Sequence, residues 1–420
     1  MAADAAPLVE HLFRQQAGRL TARLTRVLGP AYLTLAEDAV QEAMIRALRT
    51  WPFDGVPDNA AGWLYTVAHH IAIDAVRRDR TFGDKADAIV ADITRSGSVG
   101  VFDEAGIDDR LRDDELRMIF MCSHPEIPRD ASVALSLKTV GGFSVREIAR
   151  AFLSDEAAIA QRIVRAKKQI RDRRLTLDLP TGGALGERLD AVLDVLYFMF
   201  NEGYTAHQGE DLIRRELCME AIRLGRLIAD TALATPKAHA LVALMALLAA
   251  RFPARVDEAG DLILLDDQNR ALWDERLIAL GFHHFDRSMS GDDVSAYHAQ
   301  AAIAATHARA LTPETLDWPL ILELYDQLAA IDPSPVVALN RAVALAKVRG
   351  ASEGLAAVER LGGNPRLRHY YLLMAVRGQL LAELGRTAEA AGSLEAALEC
   401  EGVSEPERRF LRRRITTLGG

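Results

Sequence analysis

Gln161, Arg162, Arg165 and Lys168 sit on one basic stretch of the chain. An amide and three cations along a helix can bond base edges and phosphates in a DNA major groove. Around them, residues 144–168 read SVREIARAFLSDEAAIAQRIVRAKK, two amphipathic runs joined by a tight break. The first run spaces Val145, Ile148, Ala149 and Phe152 at i, i+3, i+4 and i+7, the pattern of a buried helical stripe. The second turns Ile159, Ile163 and Ala166 inward and leaves the four polar residues outside. Ser154 is placed to cap it, and Asp155 and Glu156 suit the positive end of its dipole. Residues 146–174 hold nine Lys/Arg and four Asp/Glu, net +5, in a chain whose net charge is -9. A local sign opposed to the global one marks a basic face. The layout is that of a helix-turn-helix.

The rest of the composition narrows the function. A chain of 420 residues, half of them apolar, builds several domains with large cores. Its overall acidity argues against a protein coated in nucleic acid and allows one localised basic face. Cys122, Cys218 and Cys400 are far apart, which fits a reducing cytoplasm and not a zinc site. The N-terminal residues lack the basic and apolar regions of an export signal, and the longest apolar run, 240–250, is too short to span a bilayer. No GxSxG, HExxH or Walker loop occurs, so no catalytic or cofactor site is expected. His283, His284 and Asp286 read as a loop after Gly281 rather than a metal site. Cys218, in an apolar run, reads as packed rather than nucleophilic.

Helical period dominates, so the expected fold is all-α. One exception, 255–266 (RVDEAGDLILLD), has the pattern of a short hairpin with its turn at 258–261. Pro52, Gly55 and Pro57 interrupt the first unit, and 180–186 (PTGGALG) reads as a linker. Upstream of Pro52, a helix over 36–51 has an apolar face of Val40, Ala43, Met44, Ala47 and Leu48. Its exposed polar edge carries Asp38, Gln41, Glu42 and Arg46. A second helix begins near Ala60 with Trp63 and Leu64. A third carries Asp74 and ends in Arg77, Arg78 and Arg80, with His69 and His70 at the bend between them.

Over residues 10–175 these stretches, in this order, resemble the extracytoplasmic-function sigma factors of bacterial RNA polymerase, in the sigma-70 family. The resemblance implies region 2 over 1–80, an acidic linker over 81–108 and the region 4 helix-turn-helix over 109–175. It implies that Asp38, Gln41, Glu42 and Arg46 bind core RNA polymerase at its beta-prime clamp helices. Trp63, His69, His70, Asp74, Arg77 and Arg78 would open and read the -10 element of promoter DNA. Gln161, Arg162, Arg165 and Lys168 would read the -35 element. Opening a promoter means holding unstacked bases in pockets and phosphates on cations, chemistry these residue types can perform. The family usually has Asn where this chain has His70, and Lys or Arg where it has Ala160. From Asp84 to Glu115 there are ten acidic and four basic residues, net -6. In the family this segment threads basic channels of the polymerase; from composition alone it reads equally as a flexible tether.

Residues 187–420 exceed an ordinary member of the class. The run 371–400 resembles a tetratricopeptide repeat, and 340–361 a weaker copy one repeat earlier, so a TPR-like region is expected towards 335–400. Asn201, Glu202 and Tyr204, and Asp267, Gln268 and Asn269, lie against apolar runs, where they cap helices or line a groove. The extension is expected to regulate a sigma factor, by an intramolecular contact that masks its DNA-binding surfaces or by docking a regulatory protein. No membrane partner, cofactor or enzyme activity is expected. The alternatives are a helix-turn-helix regulator that never joins polymerase and a helical-repeat scaffold.

Overall fold

The computed structural model describes residues 5–78, 104–152, 154–180, 183–204, 215–257, 260–291, 294–368, 370–400 and 403–419. Arg80 and residues 81–103 of the linker expected over 81–108 lie outside the described residues, and 104–108 begin a helix. The described residues form eighteen α-helices and no strand, an all-α fold. The chain divides into two compact units, Met1–Phe198 and Met199–Gly420.

The first unit opens with α1 (Ala5–Leu28), α2 (Leu33–Asp54) and α3 (Ala60–Arg78). Leu20 and Leu24 of α1, Val40 and Ala43 of α2, and Leu64 and Ala68 of α3 meet in one buried core. Alanines on the facing stripes allow the close approach. Pro52 does not end α2. It lies in the last turns, where its missing N–H removes a single ladder bond. The helix stops at Gly55, whose φ of 84° only glycine adopts without strain, and whose amide bonds the Trp51 carbonyl at 3.0 Å. The expected bend at His69 and His70 is also absent: α3 runs through both.

Next come α4 (Glu104–Cys122), α5 (Arg129–Thr139), α6 (Val145–Phe152) and α7 (Glu156–Asp172). Phe120, Leu135, Leu137, Ile148, Ile159 and Ile163 are buried among them. The 180–186 stretch is not all linker, since α8 (Gly183–Tyr204) starts within it.

The second unit continues with α9 (Arg215–Ala229), α10 (Pro236–Ala249), α11 (Glu275–Ser288), α12 (Ala296–Arg309) and α13 (Trp318–Ile331). It ends with α14 (Pro335–Arg349), α15 (Ala351–Leu361), α16 (Tyr371–Glu383), α17 (Thr387–Leu398) and α18 (Glu405–Gly419). By length and composition Pro236–Ala254 is apolar enough to cross a membrane, but 78% of its apolar window is buried inside the unit, the pattern of a core helix. His283 and His284 lie in α11, not in a loop. The expected hairpin is held by one antiparallel bridge, Val256 to Leu262.

The repeat-like pairs form as helical hairpins. Gly378 of α16 sits where a Cβ would come within 2.9 Å of Leu394 on α17, and Gly354 of α15 where one would meet Ala346 of α14 at 2.4 Å. Glycine at each site lets the two backbones approach. Of the polar residues set against apolar runs, Asn269 accepts from the Ala271 amide as a cap, and Gln268 ties the loop by donating to the Ile263 carbonyl. Cys218 is buried, and burial pushes its thiol up to about 12, as befits a packed residue.

Candidate nucleic-acid interface

The helix-turn-helix is built by local bonds. Ser144 and Glu147 close a capping box on α6: the Glu147 amide donates to the Ser144 hydroxyl at 3.1 Å, and the Ser144 amide to the Glu147 carboxylate at 2.7 Å. The S-x-x-E spacing of Ser144 and Glu147 is the sequence signature of this box. Ser154 does not cap α7. Asp155 occupies the N-cap position, and no side-chain cap bond forms. Ile159, Ile163 and Ala166 are buried as their spacing requires.

Gln161, Arg165 and Lys168 are exposed. Val164 stands among them, 63% exposed. These four follow i, i+3, i+4 and i+7, so they share one face. Such a face offers an amide for a base edge, two cations for phosphates or guanine, and a methyl pair for a thymine methyl. Arg162 sits at the edge of this face, its guanidinium 3.5 Å from the Asp130 carboxylate of α5. Lys167, beside Lys168, turns inward and donates to Glu37 of α2.

On α3 the residues expected at the -10 element separate. His70, Asp74, Arg77 and Arg78 are exposed along one stripe. His69 points the other way, 7% exposed, its ring 5.7 Å from that of Tyr65. Adjacent positions in a continuous helix differ by about 100°, so the two histidines cannot share one surface. Trp63 is half-buried, edge-on to Trp51 with ring centroids 5.5 Å apart.

On α2, Asp38, Gln41 and Arg46 are exposed, and Arg46 donates to Glu42 at 3.0 Å. Leu48 leaves the expected apolar face and is 50% exposed, because Ala36, Val40, Ala43 and Ala47 define the buried stripe and Leu48 lies off it.

Ion pairs tie α1 to α4 and α2 to α7. Arg23 and Arg26 of α1 each donate to Asp114 of α4 at 3.0 Å, and Arg19 donates to Glu115 at 3.3 Å. Asp114 and Glu115 are buried, so the end of the acidic stretch is docked rather than free. Burial holds the Glu37 and Asp114 carboxyls above their ordinary range despite the cations beside them. A cavity of about 250 Å³ lies between α1 and α2 on one side and Lys138, Ser144 and Glu147 on the other. Among the described residues no group of three or more His, Cys, Asp or Glu side chains could hold a metal.

Comparison with known proteins defines the class. Residues 12–82 match the family described as Sigma-70 region 2, and residues 188–289 match a family of unknown function, DUF6596. The ECF RNA polymerase sigma-E factor of Escherichia coli (strain K12) is 31% identical over 138 residues, covering 32% of this chain and 70% of that protein. The ECF RNA polymerase sigma-E factor of Salmonella typhimurium (strain LT2) is 30% identical over the same length. The chain therefore belongs to the extracytoplasmic-function sigma factors of the sigma-70 family, which are not an enzyme class. It carries an extension that these relatives lack the length to contain. An uncharacterized protein of Rhizobium meliloti (strain 1021) shares the extended architecture, 41% identical over 392 residues, 92% of this chain and 90% of that one. No solved structure matches.

Proposed function

We propose that this sigma factor binds core RNA polymerase in the cytoplasm and directs it to promoters. In this reading region 2 spans 1–80, the linker 81–108, region 4 109–175 and the extension 187–420. Asp38, Gln41, Glu42 and Arg46 engage the beta-prime clamp helices. His70, Asp74, Arg77 and Arg78, with Trp63 beside them, handle the -10 element, and His69 supports them from the core side. Gln161, Arg162, Arg165 and Lys168 read the -35 element. The observation that carries this reading is the exposed Gln161, Arg165 and Lys168 face in a chain whose first helices match Sigma-70 region 2. Binding energy opens the duplex, and the polymerase performs the chemistry.

The packed first unit is the closed state of this machine. The two promoter elements are named for positions roughly 25 base pairs apart, about 85 Å at 3.4 Å per pair. Side-chain contact between α7 and α2, through Lys167 and Glu37, is incompatible with that span. Promoter binding must therefore break the Lys167–Glu37 and Arg23–Asp114 pairs. The extension regulates this step or docks a partner protein.

Run-off transcription with purified core polymerase on a random promoter library tests the function. Selective output, lost when Asp38 and Gln41 are both changed to Ala, is the expected result. Output that is the same with and without the chain refutes it. Co-purification of core polymerase separates a sigma factor from a regulator that binds DNA alone.

A further inference from the structure

The second unit holds a cavity of about 290 Å³ between α14, α16 and α18, with Leu262 and Leu264 at its edge. Its size is close to the lower end, roughly 300 Å³, of small-molecule pockets. Val343 and Ala346 of α14, Ala375 and Val376 of α16, and Phe410 and Leu411 of α18 make an apolar waist. On α18 the wall reads Glu407, Phe410, Leu411, Arg414, at i, i+3, i+4 and i+7, with one charge at each end and hydrocarbon between.

The charged groups differ in what they have left to offer. Glu407 is saturated: it accepts from the Tyr371 hydroxyl, from the Ser404 amide at 2.9 Å and from the Ser404 hydroxyl at 2.7 Å. Asp266 is taken by Lys347 at 2.8 Å, and Glu383 accepts from the Gln379 side-chain amide at 3.0 Å. Arg414 is half-buried and donates to the neutral side-chain oxygen of Gln379. Among the described residues no carboxylate pairs with it. A half-buried guanidinium bonded to one amide oxygen has spare donors, arranged to take a carboxylate on two parallel bonds.

We propose that this cavity binds an amphiphilic carboxylate, with an aliphatic tail along the apolar waist and its carboxylate on Arg414. The site lies wholly within the second unit and does not depend on how the first unit reads promoters.

Calorimetric titration of the full chain with octanoate, decanoate and decan-1-ol tests the proposal. Each buried methylene tightens binding about fourfold, so decanoate should bind about tenfold or more tighter than octanoate. Arg414→Gln should weaken decanoate about tenfold and leave decan-1-ol unchanged, because only the carboxylate uses the guanidinium. Ala375→Leu should weaken both by filling the waist, with the thermal midpoint monitoring its fold. If that variant does not fold, the Arg414→Gln comparison decides alone. Absence of saturable decanoate binding, equal affinity for decanoate and decan-1-ol, or an unchanged decanoate affinity in Arg414→Gln overturns the proposal.

Discussion

Lys167 on the second helix of the helix-turn-helix donates its ammonium to Glu37, 130 residues earlier on the helix proposed to bind polymerase. Glu37 is 7% exposed, so this bond is made largely out of water. Two surfaces that must work far apart on a promoter are joined by one partly buried ion pair. Removing one partner of such a pair leaves the other charge desolvated, which is more costly than the pair itself is stabilising. Lys167→Met, which leaves the buried Glu37 carboxylate without its cation, should therefore shift the closed–open equilibrium towards open by about 1–3 kcal/mol. Fluorescence energy transfer between labels on the exposed faces of α2 and α7 reads this directly. An unchanged distance distribution in Lys167→Met would show that the pair is not a latch.

The outward face of α7 makes separable predictions. Arg165→Ala should cost about 1–3 kcal/mol of affinity for the preferred -35 sequence if the guanidinium reads a base. Lys168→Ala should weaken binding alike across sequences and reduce the slope of log affinity against log salt by about 1, as expected of a phosphate contact. Val164→Ala removes methyl contact without charge, so its effect should be confined to one base position. Binding titrations at several salt concentrations distinguish the three, and an identical pattern for all of them would deny α7 a reading role.

The two adjacent histidines of α3 should behave oppositely. His69 packs beside Tyr65 in the core, so His69→Ala should lower stability by about 1–3 kcal/mol. His70 is exposed, so His70→Ala should leave the thermal midpoint within a degree or so and instead alter use of -10 sequences. A large loss of stability in His70→Ala, with promoter choice unchanged, would remove it from the interface.

These contrasts mark where sequence is informative. The spacing of Ile148, Ile159, Ile163 and Ala166 specifies two short helices, because burial is periodic and local sequence carries the period. The glycines at 354 and 378 mark hairpin contacts for the same reason, since small residues signal close approach. The same period puts Lys168 on the outward face beside Gln161 and Arg165, but the bond of Lys167 to Glu37 depends on a residue 130 positions away that no local pattern carries. Pro52 and the His69–His70 pair resemble breaks, yet tertiary packing against the α1 and α2 core overrides a single lost backbone bond and modest propensities. The role of Asp114 and Glu115 was hidden similarly. Acidic composition suggests a solvated tether, whereas three arginines on α1 bury its last two carboxylates.

Acid should destabilise the second unit. The Nδ1 atoms of His239 and His284 lie 2.8 Å apart and both rings are buried, so two charged imidazoles cannot coexist there. Burial, then His239, pushes His284 down to about 4; Asp230 opposes this, and His283 and Arg226 add to it. Burial, then Arg251 and Arg270, likewise holds His307 at about 4. An unfolded histidine takes up its proton near 6.5. Between that pH and about 4 the unfolded chain binds more protons than the folded one, so stability is full above about 6.5 and falls as pH drops through the window. The loss approaches on the order of 3 kcal/mol per histidine at its acid end. Glu37 and Asp114 in the first unit carry the opposite sign. Their raised folded values mean that the folded state holds protons longer as pH rises, so mild acid relieves the burial of their charge. Differential scanning calorimetry from pH 7.5 to 4.5 should show the second-unit transition moving down with acid while the first-unit transition holds or rises. His284→Leu should flatten the second-unit dependence. A second-unit midpoint that does not move between pH 7 and 5 would mean that the buried imidazoles already find their protons in the folded state.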